Sequence, residues 1–423
     1  MVLGPGGAGV SVVAAAGALA LSEGDRSQRG RGGAVRPAAP GLDASGGTVL
    51  ITVDPRSATP GRLGVFRVPG DPVAVTAELE LLHLDPLATL ESAWADFAAA
   101  LSAAGAVRTL LPVVDTLASI APGELSALPG VQEFLLLRRI RDAATSGRWQ
   151  RVVVDLSGAG DPFALLRSPT ILATTIDRLW PRHARLAEAS EKPALAQLAG
   201  ALENIDRDCQ DLRELFADSS AVAAHLVVGG GERGVQTAPD LLAIADLTGL
   251  PLRSVHLNPG PGGLDVAAAE ASVRAALGDG EVRVTTASTV DVGLDRAARL
   301  RKLDVVLPDP GGTARGAGAP VVRHVEGHGL ESVYELSWRQ GLPDPATLAL
   351  GRSGDDLLVT VAGFRAPVLL PSVLRRCVVT GADWDGTRLV VRFAPDPAVW
   401  PQAVKRTPRG ATTSRLSGRD ELR

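Results

Sequence analysis

Four short strand-like runs, the first a continuous apolar run with β-branched residues, constrain the fold of this 423-residue chain more than any other feature. The runs span residues 48–53, 151–155, 224–228 and 252–257, and stretches of helical periodicity separate them. A strand without polar alternation is typical of a parallel sheet whose two faces are covered by helices. Such sheets bind ligands at the carboxyl ends of their strands. The sequence therefore predicts an α/β fold with functional residues along that edge.

A glycine-rich segment lies between the first apolar residues and the first helical run. Residues 4–11 read GPGGAGVS, and an Ala-rich stretch continues to residue 21. This order of strand, glycine loop and helix is the layout of a phosphate-binding loop. Glycines let backbone N–H groups turn toward phosphate oxygens, and the helix amino terminus adds partial positive charge. The first strand is shorter than the usual length of about five or six residues, which indicates either a trimmed strand or a start further upstream.

Two segments interrupt the predicted α/β domain, which spans residues 1–310. Residues 24–47 are rich in Gly, Arg, Pro and Ala and have no apolar period, which is typical of a disordered surface insert. Residues 165–218 are helix-rich, and seven apolar residues there, Cys209 among them, fall on one helical face. We therefore expect Cys209 to be a small core residue rather than a reactive thiol or a ligand.

A second domain follows a Gly/Pro/Ala linker at residues 308–320. Short strands separated by turns predict a small β-sandwich over residues 321–400, and residues 401–423 form a basic tail that we expect to fray. The predicted sandwich strands span residues 333–338, 355–361, 376–380 and 388–393.

Composition excludes several classes of function. A formal net charge of -4 and an aromatic content of 3% argue against nucleic-acid binding. The two cysteines are far apart, so neither a disulfide framework nor a zinc site is expected. The apolar run of residues 10–21 is too short to span a bilayer and lacks a preceding positive charge, so neither stable membrane insertion nor a signal peptide is expected. His324 and His328 lie four residues apart, but in a glycine-containing, linker-like stretch where a metal pair is not expected. A cytoplasmic protein is the simplest interpretation.

The glycine segment resembles the deviant phosphate loop of the ArsA-like ATPases, whose pattern reads GKGGVGKT. Ser11 stands where the family has its magnesium-binding hydroxyl, whereas Pro5 and Val10 replace the signature lysine and the phosphate-loop lysine. The resemblance assigns ATP binding to the loop glycines, to Val10 and Ser11, and to Asn258, which matches an adenine-contacting asparagine. The matching glycines are Gly4, Gly6, Gly7 and Gly9.

Three further segments resemble the same family. Residues 52–57, TVDPRS, are similar to STDPAHS, with Asp54 where a water-orienting aspartate lies. Residues 155–161, DLSGAGD, are similar to DTAPTGH, with Asp155 at the magnesium-linked acid. Residues 333–400 resemble the alpha-crystallin-type domain fused to some bacterial ArsA-like proteins. Asp54, Asp155 and Asn258 remain compatible with purely structural roles in helix caps and turns.

The departures from the family pattern concern positive charge. The chain has only three lysines, Lys192, Lys302 and Lys405, so none lies near the glycine loop in sequence. Arg56 is the nearest arginine that could substitute, but its guanidinium is a planar fork and not a compact charge. A positioned cation of this type is worth about 10³–10⁵ in rate in phosphoryl transfer, and Pro5 also removes a backbone N–H. We therefore expect no useful hydrolysis, and binding of ATP and magnesium that is weak or absent.

Three hypotheses follow and remain open at this point. The leading one is a non-hydrolysing, degenerate ArsA-like protein that acts as a regulatory or structural partner, in a homodimer or in a heterodimer with a competent ArsA-like ATPase. The second is a slow ATPase in which arginines replace lysines. The third is a protein-interaction or chaperone-like module with protein clients. Arsenite transport and a zinc-bridged dimer are not expected, because family members with those properties use clustered cysteines.

Overall fold

The computed structural model describes residues 1–30, 47–103, 119–124, 130–260, 263–278, 282–290, 293–312, 314–316 and 320–400. Its centre is an eight-stranded sheet with the strand order β3-β4-β2-β5-β1-β6-β7-β8. All neighbouring strands are parallel except β3, which runs antiparallel to β4 at one edge. The strands are β1 (Val2–Leu3), β2 (Gly47–Thr52), β3 (Pro72–Ala74), β4 (Leu79–His83), β5 (Trp149–Asp155), β6 (Ala224–Gly229), β7 (Leu252–Asn258) and β8 (Arg283–Thr286).

Helices cover both faces of this sheet, as the continuous apolar strands predict. The α-helices of the described residues are α1 (Val10–Gly30), α2 (Thr59–Leu63), α3 (Pro86–Ala103), α4 (Val131–Thr145), α5 (Pro162–Leu179), α6 (Arg182–Glu191), α7 (Pro193–Ala217), α8 (Glu232–Thr248), α9 (Ala267–Leu277) and α10 (Ala297–Leu300). One apolar cluster joins α1, α2 and α10 to one face, and a second joins α4, α5, α7, α8 and α9 to the other. No helix within the described ranges is both long and apolar enough to cross a bilayer.

The α/β fold predicted from the four strand-like runs is confirmed, since these runs form β2, β5, β6 and β7. The sequence analysis missed β3, β4 and β8. β4 contains a glutamate and ends in a histidine, and β8 is a four-residue edge strand with exposed ends, so neither shows a long apolar run. β1 is as short as predicted, and it lies between β5 and β6 in the middle of the sheet.

Helix α1 is longer than its apolar stretch. It continues to Gly30, so the first part of the segment that we assigned to a disordered insert at residues 24–47 is helical, and β2 already begins at Gly47. The sequence SEGDRSQR after Leu21 has no apolar period, but Glu, Gln and Arg are good helix formers and extend a helix that packing has already nucleated. Residues 31–46 of the predicted insert and the predicted tail at 401–423 lie outside the described residues.

The helix-rich region consists of α5, α6 and α7, as predicted. Cys209 on α7 has no exposed surface and belongs to the apolar cluster, and burial raises the pKa of its thiol to about 12. Its prediction as a small core residue agrees with this environment, because a buried protonated thiol is a poor nucleophile and a poor ligand.

The carboxyl-terminal part contains two antiparallel sheets that share one apolar core. The four-stranded sheet has the order β14-β15-β10-β9 and the three-stranded sheet the order β11-β12-β13. The four predicted strands correspond to β10, β12, β14 and β15, and the sequence analysis missed the other three. β9 occupies part of the linker-like stretch and carries His324, so that histidine lies on an edge strand. The strands are β9 (Val321–Glu326), β10 (Val333–Arg339), β11 (Ala349–Ser353), β12 (Asp356–Val361), β13 (Phe364–Leu369), β14 (Cys377–Trp384) and β15 (Arg388–Pro395).

A buried ion pair fastens the two parts of the chain together. The Arg315 guanidinium donates two hydrogen bonds of 2.8 Å to the carboxylate of Asp246 on α8, and the two side chains are 5% and 0% exposed. Arg315 also donates to the carbonyls of Ala276 and Leu277 at the end of α9, and the backbone N–H of Gly341 donates to Asp246. Asp246 therefore links the sheet domain to the turn after β10.

We predict that Asp246→Ala lowers the free energy of unfolding by about 3–5 kcal/mol, because it leaves the Arg315 charge buried without its partner. Urea unfolding of the full chain measures the change. Glu270→Ala is the matched control, since it breaks the partly exposed Glu270–Arg274 pair within α9 and should cost less than about 0.5 kcal/mol. Similar small losses in both variants would contradict a central role for the buried pair.

Candidate functional site

The glycine loop emerges from the middle of the sheet at its carboxyl edge. β1 lies between β5 and β6, and the chain turns from Leu3 through Gly4 and Pro5 into α1, which begins at Val10. Gly4 is buried against the carbonyl of Val227, whereas Gly6 and Gly7 are exposed at the tip of the loop. The predicted order of strand, glycine loop and helix is therefore present.

A side-chain clamp holds the loop from the β7 side. The Nδ2 of Asn258 donates a 2.8 Å hydrogen bond to the carbonyl of Ala8, and its Oδ1 accepts from the N–H of Gly260 at 3.0 Å. Gly9 has a φ of 89° and lies so close to Asn258 that a Cβ there would overlap Nδ2. Both ends of the amide are thus used within the protein. The contact of Asn258 with adenine stays a prediction.

The two positions where the resemblance places lysines are occupied by groups that cannot carry charge. Val10 is 3% exposed and packs in the apolar cluster beneath α1, so its side chain belongs to the core. The carbonyl of Pro5 accepts a hydrogen bond of 3.1 Å from the N–H of Ala8 within the loop. Neither position therefore supplies a cation to the glycine loop.

Ser11, Ser157 and Asp155 meet beside the start of α1. The hydroxyls of Ser11 and Ser157 are 2.7 Å apart, and the N–H of Ser157 donates to Oδ1 of Asp155 at 3.0 Å. Asp155 has no exposed surface, and its Oδ2 has no hydrogen-bond partner among the described residues. Burial raises the pKa of Asp155, and hydrogen bonds from Ser157 and from the Ser11 hydroxyl oppose that rise. The structure thus brings the two predicted magnesium ligands together.

Asp54 lies on the other side of the same corner. Its Oδ1 accepts a 2.8 Å hydrogen bond from the N–H of Arg56, and its charge contributes to the raised pKa of Asp155. Arg56, the arginine that the sequence suggested as a substitute, is exposed on this turn. Arg67 reaches the turn instead, and its guanidinium donates to the carbonyls of Pro55 and Ser57.

Sequence analysis missed Ser157 and Arg67 as neighbours of the predicted residues. Ser157 contacts Ser11 across 146 positions, and Arg67 contacts Pro55 across the short helix α2, so no local pattern reveals either contact. The available signal was the position of Asp155 at the end of β5 and of the glycine loop at the end of the adjacent β1. The carboxyl ends of neighbouring parallel strands lie at the same edge of a sheet, so these two segments had to be close.

The donor set fits magnesium better than it fits a nucleotide triphosphate. Mg²⁺ prefers hard oxygen ligands, keeps several waters and is commonly held by one or two carboxylates, and the hydroxyls of Ser11 and Ser157 with the free oxygen of Asp155 supply such ligands. The amino terminus of α1 directs partial positive charge toward the loop, although the N–H groups of Val12 and Val13 already donate to the carbonyl of Gly9. Neither Pro5 nor Val10 supplies a side-chain cation that would neutralise a phosphate there.

Comparison with known proteins places the chain in a family. A family model described as an anion-transporting ATPase matches residues 42–233, and one described as an HSP20-like domain found in ArsA matches residues 331–393. Protein Rv2184c of Mycobacterium tuberculosis is 33% identical over 412 residues, which cover 85% of this chain and 92% of that protein. The chain belongs to the ArsA-like ATPase family. Its carboxyl-terminal sandwich is an HSP20-like domain, which confirms the resemblance.

Two other relatives match this ArsA-like chain over different shares of its length. Protein SCO2128 of Streptomyces coelicolor is 29% identical over 423 residues, covering 95% of this chain and 98% of that protein. A putative arsenical pump-driving ATPase of Chlorobaculum tepidum is 20% identical over 269 residues, covering 60% and 59%. The ATPase family model covers Asp54 and Asp155, whereas the glycine loop and Asn258 lie outside it.

We predict that Gly9→Ala lowers the free energy of unfolding by about 1–3 kcal/mol, because its Cβ meets Asn258 and its φ is positive. Denaturant unfolding measures the loss. Gly6→Ala is the matched control in the same loop, since a Cβ there has nothing within 4 Å, and we expect a change within about 0.5 kcal/mol. Equal effects at both positions would mean that the Asn258 clamp does not constrain the loop.

We predict that Asp155→Asn stabilises the folded chain at pH 7 by about 1–3 kcal/mol, since it removes a buried charge with an unpaired oxygen. The folded-state pKa of Asp155 is raised, so the folded state loses stability as pH rises through that pKa. Below about pH 4 the carboxyl is protonated in folded and unfolded chains alike, and the gain should vanish. Urea unfolding at several pH values, with exposed Asp71→Asn as the control, measures this dependence. A pH-independent difference would contradict it.

Proposed function

We propose that this ArsA-like chain is a non-hydrolysing member of its family that acts as a regulatory or structural partner of a competent ATPase. The burial of Val10 in the apolar core supports the proposal most directly, because the family's phosphate-loop lysine stands at this position in the resemblance. With Pro5 at the other lysine position, growing negative charge on a transferred phosphoryl group meets no lysine of the loop. Rate losses of about 10³–10⁵ follow the loss of one such cation.

The open face of the loop supports a partner role. Gly6 and Gly7 are exposed, and no atom lies within 4 Å of a Cβ at either position, so a cationic side chain of another subunit has space to approach. In the resemblance, family ATPases pair face to face and one subunit's signature lysine reaches its partner's nucleotide. A chain without that lysine would receive a cation but not supply one.

A slow ATPase is the second candidate, and the position of Arg67 favours it. This guanidinium is held against the Asp54 turn. It would act in hydrolysis only by exchanging its bonds to the carbonyls of Pro55 and Ser57 for bonds to phosphate.

Arsenite chemistry receives no support from the cysteines. The name of the Chlorobaculum relative mentions an arsenical pump, but Cys209 and Cys377 are buried in α7 and β14, and burial raises the pKa of both thiols.

We predict that the purified chain releases no phosphate from MgATP above the background of its Asp155→Asn variant. The physical reason is the absence of both loop cations, and a coupled phosphate-release assay over several hours makes the measurement. Turnover that Asp155→Asn abolishes and Arg67→Ala reduces would overturn the proposal in favour of the slow ATPase.

The same phosphate-release assay also tests the partner role. Addition of the chain to an intact ArsA-like ATPase from the same organism should change that enzyme's phosphate release at stoichiometric ratios, and size-exclusion chromatography should show the mixed complex. Unchanged release together with separate elution would contradict the regulatory role.

A further inference from the structure

The corner formed by Ser11, Ser157 and Asp155 contains an unsatisfied carboxylate oxygen that the fold alone does not explain. Buried polar atoms in native proteins are almost always hydrogen-bonded, so each exception needs a cause. Oδ2 of Asp155 has no partner among the described residues, although two hydroxyls lie beside the same carboxyl group. The hydroxyls bond to each other at 2.7 Å, and each keeps at least one lone pair for another ligand.

The electrostatic balance of this corner calls for a positive charge. Gly158, the neighbour of Ser157, lies against the Cα of Asp54, so a second carboxylate stands beside this corner. A cation relieves the repulsion between two neighbouring carboxylates. The guanidinium of Arg67 is held by two backbone carbonyls of the Asp54 turn. The corner is therefore built as an acceptor of a cation.

The turn after β5 is shaped to bring Ser157 into this corner. Gly158 lies so close to the backbone of Asp54 that a Cβ there would overlap its Cα and Cβ. This turn holds the hydroxyl of Ser157 2.7 Å from that of Ser11, next to the carboxyl group of Asp155.

We infer that Ser157 joins Ser11 and Asp155 as a third protein ligand of a divalent-cation site that fills without nucleotide, and that this cation replaces the missing lysines as the positive charge for phosphate. The chemical class of the ligand is a small hard cation such as Mg²⁺ or Mn²⁺, because all three donors are oxygens. The second half of the inference rests on the proposed nucleotide-binding role, whereas the first half does not.

An order of binding follows from this assignment. A lysine in the loop attracts phosphate whether or not metal is present. In this chain the loop offers only backbone N–H groups and the helix terminus until a cation is bound. ATP should therefore bind with metal and fail to bind measurably without it.

The test is titration of the full, chelator-treated chain with Mn²⁺ alone, followed by the electron paramagnetic resonance signal of free Mn²⁺. We expect one site per chain, weakened about tenfold by Ser157→Ala, a loss of the size seen when supporting groups of metal sites are removed, and abolished by Asp155→Asn. Ser22→Ala is the matched control, because Ser22 is a buried serine on α1 whose hydroxyl bonds only locally to the carbonyl of Leu19, and it should leave the Mn²⁺ affinity unchanged. Circular dichroism confirms that each variant is folded.

Calorimetric titration with ATP, in Mn²⁺ and then in EDTA, supplies the second readout. Binding in Mn²⁺ only, with the same tenfold loss in Ser157→Ala, supports the inference. Absence of Mn²⁺ binding without nucleotide, equal affinity in Ser157→Ala and the unmodified chain, or ATP binding in EDTA would each overturn it. None of these outcomes depends on phosphate release, so failure here is distinguishable from failure of the non-hydrolysing role.

Discussion

The position of the two-residue strand β1 sets the geometry of the whole carboxyl edge. β1 pairs with β5 on one side and β6 on the other, so the glycine loop that follows it emerges between Asp155 at the end of β5 and Asn258 at the end of β7. Loop glycines permit this close approach, with Gly4 against the β6 backbone and Gly9 against Asn258. A substitution at either glycine therefore acts on the site and on the central packing of the sheet together.

The glycine loop is held by neutral groups. Val10 gives α1 an apolar anchor in the core where the resemblance places a phosphate-binding lysine, and Asn258 holds the loop through the carbonyl of Ala8. The acidic half is kept, and a buried carboxylate with one unpaired oxygen costs stability. Packing alone does not account for a buried carboxylate at this position, whereas the proposed cation site does. The proposed cation binding and the proposed absence of hydrolysis are compatible at one corner.

Sequence reasoning reached the fold because buried parallel strands show their burial in their composition. β2 and β5 contain continuous apolar runs, whereas β4 carries Glu80, whose carboxylate accepts hydrogen bonds from Arg148 and Trp149. β7 was predicted from its place in the alternation of strands and helices, since its sequence is as mixed as that of β4. Asp54 and Asp155 could be placed at one edge because each follows such a run. Ser157, Arg67 and the Asn258 clamp could not, since their contacts join residues far apart in sequence through the exact shape of turns. The extension of α1 to Gly30 was missed because helix continuation at a surface needs no apolar period.

The HSP20-like domain shares an apolar core with the ATPase domain and is not joined to it by a linker alone. α5 begins at Pro162, and the side chain of Asp161 caps it shortly after the Ser157–Ala159 turn. Phe163 in its first turn meets Phe364 of β13 with ring centroids 6.3 Å apart. Further along α5, Arg167 lies over the Phe364 ring at 4.5 Å. One apolar cluster includes residues of α5, α8 and both sandwich sheets. Deletion of the sandwich would expose that cluster and remove the contacts that hold α5, the helix that follows the Ser157–Ala159 turn. If such a deletion abolished association with another protein, the result would not show whether the chain is an interaction module or a nucleotide-dependent partner. Single substitutions at Ser157 and Arg67 leave the shared core intact and therefore avoid this ambiguity.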